Sequence, residues 1–210
     1  MFNKPIIIFF SFLILKSQSR YIDSIKSILN KNPHDTVKII CLNNIAWEFL
    51  YINTDSALQY AQKALAVSNK IKLLFYLNKT YHHLGTIYYQ KSKNDSAIYY
   101  FKLITNHPEF KINQRQLAAA YTGLGNVFNT TGEYEKSLAY YFNALKIYDS
   151  INEENGQGLI FGNIANVYFQ LSDFNNSLKY SERSLHISTK LNDLSGMVSS
   201  HNNIGNIYIT

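Results

Sequence analysis

One cysteine, three prolines and nine glycines in 210 residues leave little to staple, kink or interrupt this chain. A lone cysteine, Cys41, excludes an internal disulfide framework and any cysteine-rich zinc site. Its apolar neighbours place it in a core and not at a reactive centre. So few helix breakers favour long helices over a many-stranded β fold. Charged residues make up only 16% and apolar residues 46%, which is not the composition of a disordered chain. The length suits one domain or two small ones. The net charge of +6 is scattered, with no basic block longer than two residues, so no nucleic-acid partner is expected.

Catalytic signatures are equally absent. HExxH, GxSxG, CxxC and a phosphate loop do not occur, and Gly123-Leu124-Gly125 lacks a third glycine at dinucleotide-binding spacing. His82 and His83 are adjacent, about 100° apart on a helix, and so are not the i, i+4 pair that ligates a metal. Glu153-Glu154 falls in a polar connector, where a solvated turn is the simpler reading. No enzyme activity, cofactor or metal is expected of this segment.

Residues 1–19 have the form of a secretory leader: a short basic start from Met1 to Lys4, an apolar run from Ile6 to Leu15, and small residues at Ser17 and Ser19. The run is too short for a spanning helix, which needs about 20 apolar residues. Lys16 beside the cut leaves an uncleaved anchor open. Without Lys4 and Lys16 the net charge is +4.

Beyond residue 35 the chain repeats itself. Residues 43–50 read NNIAWEFL, 82–89 HHLGTIYY, 122–129 TGLGNVFN, 162–169 GNIANVYF and 202–209 NNIGNIYI, with starts spaced 39, 40, 40 and 40 apart. A second word, SALQYAQKAL from residue 56, returns as SAIYYFKLIT, KSLAYYFNAL and NSLKYSERSL on the same beat. In the first word a large apolar residue precedes a small one, Leu84-Gly85 or Ile164-Ala165, and an aromatic follows three later, while the second spaces Ala57, Tyr60 and Ala64 at i, i+3, i+7; each places its residues on one helical stripe. Polar turn-forming stretches separate them, so each unit is a helix, a tight turn and a second helix. The expected helices lie near 21–30, 36–51, 54–69, 73–91, 94–106, 113–130, 133–151, 156–171 and 174–190, with one more from about 194.

Small residues recur inside these helices: Gly85, Gly125, Ala165 and Gly205 on the first of each pair, Ala57, Ala97, Ser137 and Ser177 on the second. A mid-helix glycine costs roughly 0.5–1 kcal/mol against alanine, so its recurrence implies close helix packing. Tyr88, Phe128, Tyr168 and Tyr208 are expected to fill the space beside each small site.

These words resemble the tetratricopeptide repeat. Tyr81, Leu84, Gly85 and Tyr88 match that family's first helix and Ala97 and Phe101 its second, as do Tyr121, Leu124, Gly125, Phe128, Gly132, Tyr134 and Ala144 in the next unit. The period of 40 exceeds the usual 34, so the second helices are expected to run long. The resemblance implies an all-α right-handed superhelix, an α-solenoid of antiparallel helix pairs, over residues 36–210: four complete repeats plus the first helix of a fifth. Residues 20–35 would supply a capping helix and connector.

The resemblance also implies a concave groove lined by first helices, holding a protein or peptide ligand. Its register gives His82, His83 and Tyr89 in the second unit, Thr122, Asn126 and Asn129 in the third, Asn163, Asn166 and Gln170 in the fourth, and Asn203 and Asn206 in the fifth. An asparagine amide both donates and accepts, so rows of it suit the backbone of an extended peptide. A solvated helix face is the competing reading. The lysine and arginine of a carboxylate-gripping clamp are missing, which argues against that subtype.

Two functional classes fit. One is the exported sensory part of a larger bacterial signalling protein, of the kind that ends in a histidine kinase or a DNA-binding output domain. The other is a free periplasmic or surface adaptor. The repeat pattern stops within a fifth unit, which favours a longer protein, and any membrane attachment would come from a downstream segment or an uncleaved leader.

Overall fold

The computed structural model describes residues 18–107, 109 and 113–209. All but the last two residues of the expected leader lie outside that set; Gln18 and Ser19 open the first helix. The chain divides into two compact units, Met1–Ser92 and Lys93–Thr210.

Unit 1 holds α1 (18–30), α2 (Asp35–Phe49), α3 (Thr54–Ile71) and α4 (Leu74–Gln90). Ile22 and Ile25 of α1 bury against Cys41 and Ile45 of α2, with Phe49 and Tyr60 packed beside them. This packing makes Cys41 a buried core residue whose thiol pKa is raised by burial. A polar seam joins the other three helices: Asn43 Nδ2 donates to Thr80 Oγ1 at 3.0 Å, and Ser68 Oγ lies 3.4 Å from the same hydroxyl.

Unit 2 holds α5 (Asn94–Asn106), α6 (Gln114–Thr130), α7 (Tyr134–Ser150), α8 (Glu154–Gln170), α9 (Phe174–Lys190) and α10 (Leu194–Ile209). Each helix packs on its successor from α5 to α10. No strand occurs among the described residues, and the antiparallel helix pairs have the expected class. The second helices are not the longer ones: α6, α7, α8 and α9 are all 17 residues. The additional length is shared, because the true beat is 20 residues, one helix plus one turn.

That beat is visible in the backbone. Lys72, Ser92, Gly132, Asn152, Ser172 and Asn192 all take positive φ, between 51° and 79°. Each closes a helix in the left-handed conformation; Ser172 N–H bonds back to Phe169 O and Asp173 N–H to Tyr168 O. Asp173 then caps α9, accepting from Asn176 N–H at 3.1 Å. A left-handed residue other than glycine costs roughly 1–2 kcal/mol. Ser172→Gly is therefore expected to stabilise by about 0.5–1 kcal/mol, since glycine's larger unfolded-state entropy offsets part of the relief. A thermal melt checks it: Tm should rise, and a fall would mean the serine side chain stabilises this turn.

The packing sites differ from the expected ones in an instructive way. The ring over Gly125 is Tyr141 of the second helix, 1% exposed: a Cβ at Gly125 would lie 2.4 Å from it. Gly123, two residues earlier, receives Phe101 of α5 at the same 2.4 Å. The first-helix aromatics instead stack on second-helix tyrosines, Phe128 on Tyr140 with centroids 5.3 Å apart and Tyr168 on Tyr180 at 5.6 Å. Tyr208 stacks on no second-helix tyrosine among the described residues and is 74% exposed. The serines at small sites also bond: Ser137 Oγ donates to Gly125 O and Ser177 Oγ to Ala165 O, both at 2.9 Å.

Candidate functional site

In unit 2, Asn126 and Asn163 occupy neighbouring first helices, α6 and α8, and the structure brings them together: Asn163 Nδ2 lies 3.5 Å from Asn126 Oδ1. Tyr141 O–H donates to the same Asn126 oxygen at 2.7 Å. The acceptor half of Asn126 is thus committed inward, while its NH₂ takes no partner among the described residues. Asn166 and Gln170 are exposed and Asn163 half-buried on α8; i, i+3 spacing puts Asn163 and Asn166 side by side. Asn129 is half-buried on α6, with an Oδ1 that is buried and unpartnered. On α10, Asn203 is half-buried and Asn206 exposed. Thr122 does not face a groove: it is buried, its hydroxyl donating to Ala118 O at 2.9 Å.

Glu153 and Glu154, the adjacent carboxylates, are structural. Arg115 Nε lies 2.7 Å from Glu153, and Lys190 pairs with Glu154, so each ties its turn to a neighbouring helix. Such exposed pairs are worth at most about 1 kcal/mol.

In unit 1, Tyr89 is half-buried, His82 half-buried and His83 buried. Burial lowers the His82 pKa to about 4. His83 drops further, to about 3, through burial first and then the neighbouring His82 and Lys79, against a hydrogen bond with the Asn43 backbone. Neither imidazole is charged at neutral pH. His83 is only 7% exposed. The unfolded chain binds protons at these histidines below about pH 6.5 while the folded chain does not, so stability falls as pH drops. At pH 5 the loss from His83 is expected to be about 1–2 kcal/mol. His83→Gln should flatten urea midpoints measured between pH 7 and 5; an unchanged slope would mean that the imidazole protonates in place.

His83 also meets Trp47, ring centroids 5.0 Å apart. Around them lies a cleft of about 290 Å³, walled by Tyr21, Asn44, Trp47, Glu48, Lys79 and His83. Sequence reasoning named only His83 here. The signal was available: the groove register, applied to the first unit around Ala46, gives Asn44 and Trp47.

Residues 118–150, which are most of α6 and all of α7, match the tetratricopeptide repeat family model. This stretch is a tetratricopeptide repeat. No curated protein sequence matches the chain. Among solved structures, a Rap protein complexed with Competence and Sporulation Factor superposes with a TM-score of 0.76 at 15% identity, over 93% of this chain and 61% of that one. A STAND signal-transduction ATPase with a tetratricopeptide repeat sensor, from Pyrococcus horikoshii, gives 0.76 at 17% identity, over 95% of this chain and 32% of that one. BtubC from P. vanneervenii gives 0.73 at 17% identity, over 92% and 81%. At these identities the likeness shows the tetratricopeptide fold. The chain spans about a third of the ATPase and three fifths of the Rap protein.

Proposed function

We propose that this tetratricopeptide array is a non-catalytic scaffold that binds a protein or peptide along its first helices. We propose further that it is the exported sensory or interaction part of a bacterial signalling protein. The observation that carries the binding reading is the meeting of Asn126 and Asn163. Amides from successive first helices meet there, the NH₂ of Asn126 takes no partner among the described residues, and such an amide can bond the backbone of an extended peptide. The similar fold of the Rap protein complexed with Competence and Sporulation Factor supports the same reading by analogy. The leader-like stretch from Met1 to Ser19 supports export.

A peptide display library panned against the full chain tests the binding reading. Enriched peptides should bind with little dependence on ionic strength, because neutral amides carry the recognition. Affinity that collapses between low and high salt would replace this mechanism with a charge-driven one.

A further inference from the structure

The cleft in unit 1 differs in chemistry from the asparagine row. It carries two charged side chains, Glu48 from α2 and Lys79 from α4, and neither forms an ion pair with any described residue. Glu48 accepts only the Gln18 amide, its Oε2 2.9 Å from Nε2. Trp47 is 43% exposed, so part of its indole is presented to solvent while the other ring it touches, His83, supports it. His83 remains neutral here, and its buried Nδ1 has no partner. Asn44 adds an amide, and Tyr21 of α1 is 47% exposed at the rim.

Opposite unpaired charges on one small aromatic cleft select against simple ions. A lone cation would gain from Glu48 and the indole face but meet Lys79; a lone anion would gain from Lys79 and Asn44 but meet Glu48. A ligand carrying both charges satisfies both walls. The open cleft of about 290 Å³ has room for a molecule of amino-acid size.

We propose that this cleft binds a free α-amino acid. Its ammonium lies against Glu48 and the Trp47 face, and its carboxylate against Lys79 and Asn44. The inference goes beyond the peptide reading and does not rest on its asparagine row, which lies in unit 2, although His83 of this cleft is also a predicted groove residue.

Trp47 is the only tryptophan in the chain, so its fluorescence reports on the cleft directly. Free L-amino acids with small, aromatic and basic side chains are titrated into the full-length protein, beside their N-acetyl and carboxamide forms. At least one free amino acid should change the emission saturably, and each blocked form should bind about tenfold more weakly. Calorimetry on Glu48→Gln should show about tenfold loss for the free and carboxamide forms with the N-acetyl form unaffected; Lys79→Met should show about tenfold loss for the free and N-acetyl forms with the carboxamide unaffected. Both substitutions are on partly exposed surface, and an unchanged melt confirms folding. No saturable signal in fluorescence or heat up to about 10 mM overturns the proposal. So does equal binding of the blocked forms, which would make the cleft a generic apolar platform. Loss of peptide binding by asparagine variants with amino-acid binding intact would leave the two sites separate.

Discussion

Gly125→Leu is expected to lower the urea midpoint and Tm of this protein more than any surface substitution. Even a Cβ at Gly125 would stand 2.4 Å from the Tyr141 ring, a distance that real contacts do not sustain, and leucine adds three carbons beyond it. Tyr141 has little room to yield: it is 1% exposed within a cluster that includes Ala118, Ala144, Tyr148 and Ile164. Overpacking costs typically about 1–3 kcal/mol, and a displaced aromatic belongs at the top of that range. Leucine's better helix propensity returns at most about 1 kcal/mol. The net corresponds to roughly 5–10 °C in Tm for a chain of this length. A second variant isolates the cause. Tyr141→Ala alone should destabilise by about 3–5 kcal/mol through the cavity it leaves, but Gly125→Leu with Tyr141→Ala should be much better than the sum, because leucine then fills the vacated space. Strict additivity would mean that the two residues do not share one site.

The second large effect is on binding. Asn163→Ala with Asn166→Ala should weaken a peptide ligand by about 5- to 150-fold, from two lost hydrogen bonds worth roughly 0.5–1.5 kcal/mol each. Helix content and Tm should hold, since Asn166 is exposed and Asn163 only half-buried. Asn126→Ala is a different experiment. Its oxygen accepts the Tyr141 hydroxyl at 2.7 Å, so removing it strips a bond from a buried tyrosine and mixes lost stability with lost affinity. Tyr141→Phe removes that bond from the other side and leaves the Asn126 amide in place. A peptide that binds the Asn163/Asn166 double variant as tightly as the parent protein would place its site away from these first helices.

Much of the architecture was legible because it is written many times. A single helical word is a weak signal, but the same word at residues 43, 82, 122, 162 and 202 averages local noise away, and helix ends came within about two residues where turn formers stood between words. The site was less legible. The asparagines were named from a register inherited by resemblance, and that register also named Thr122, which the structure puts in the core. Trp47, Glu48 and Lys79 escape the register because the first unit has a tryptophan where the others have a small polar residue after the small site, and because Lys79 lies outside the repeated words, 31 positions from Glu48.

Periodicity by itself determined that residues 36–209 form helix pairs, where the turns fall and which positions must be small, since these follow from the 3.6-residue repeat and from the bulk of one side chain. Tertiary structure decided what occupies each small site. Tyr140 and Tyr141 are neighbours of equal size and chemistry on α7, yet Tyr141 drops onto Gly125 and Tyr140 stacks on Phe128. A step of about 100° around one helix separates those fates, and only the position of α6 fixes which direction is inward. The same holds for the serines of α9. Composition reads Ser177 as merely small, but its bond to Ala165 O at 2.9 Å exists because a neighbouring helix presents that carbonyl at hydrogen-bonding distance.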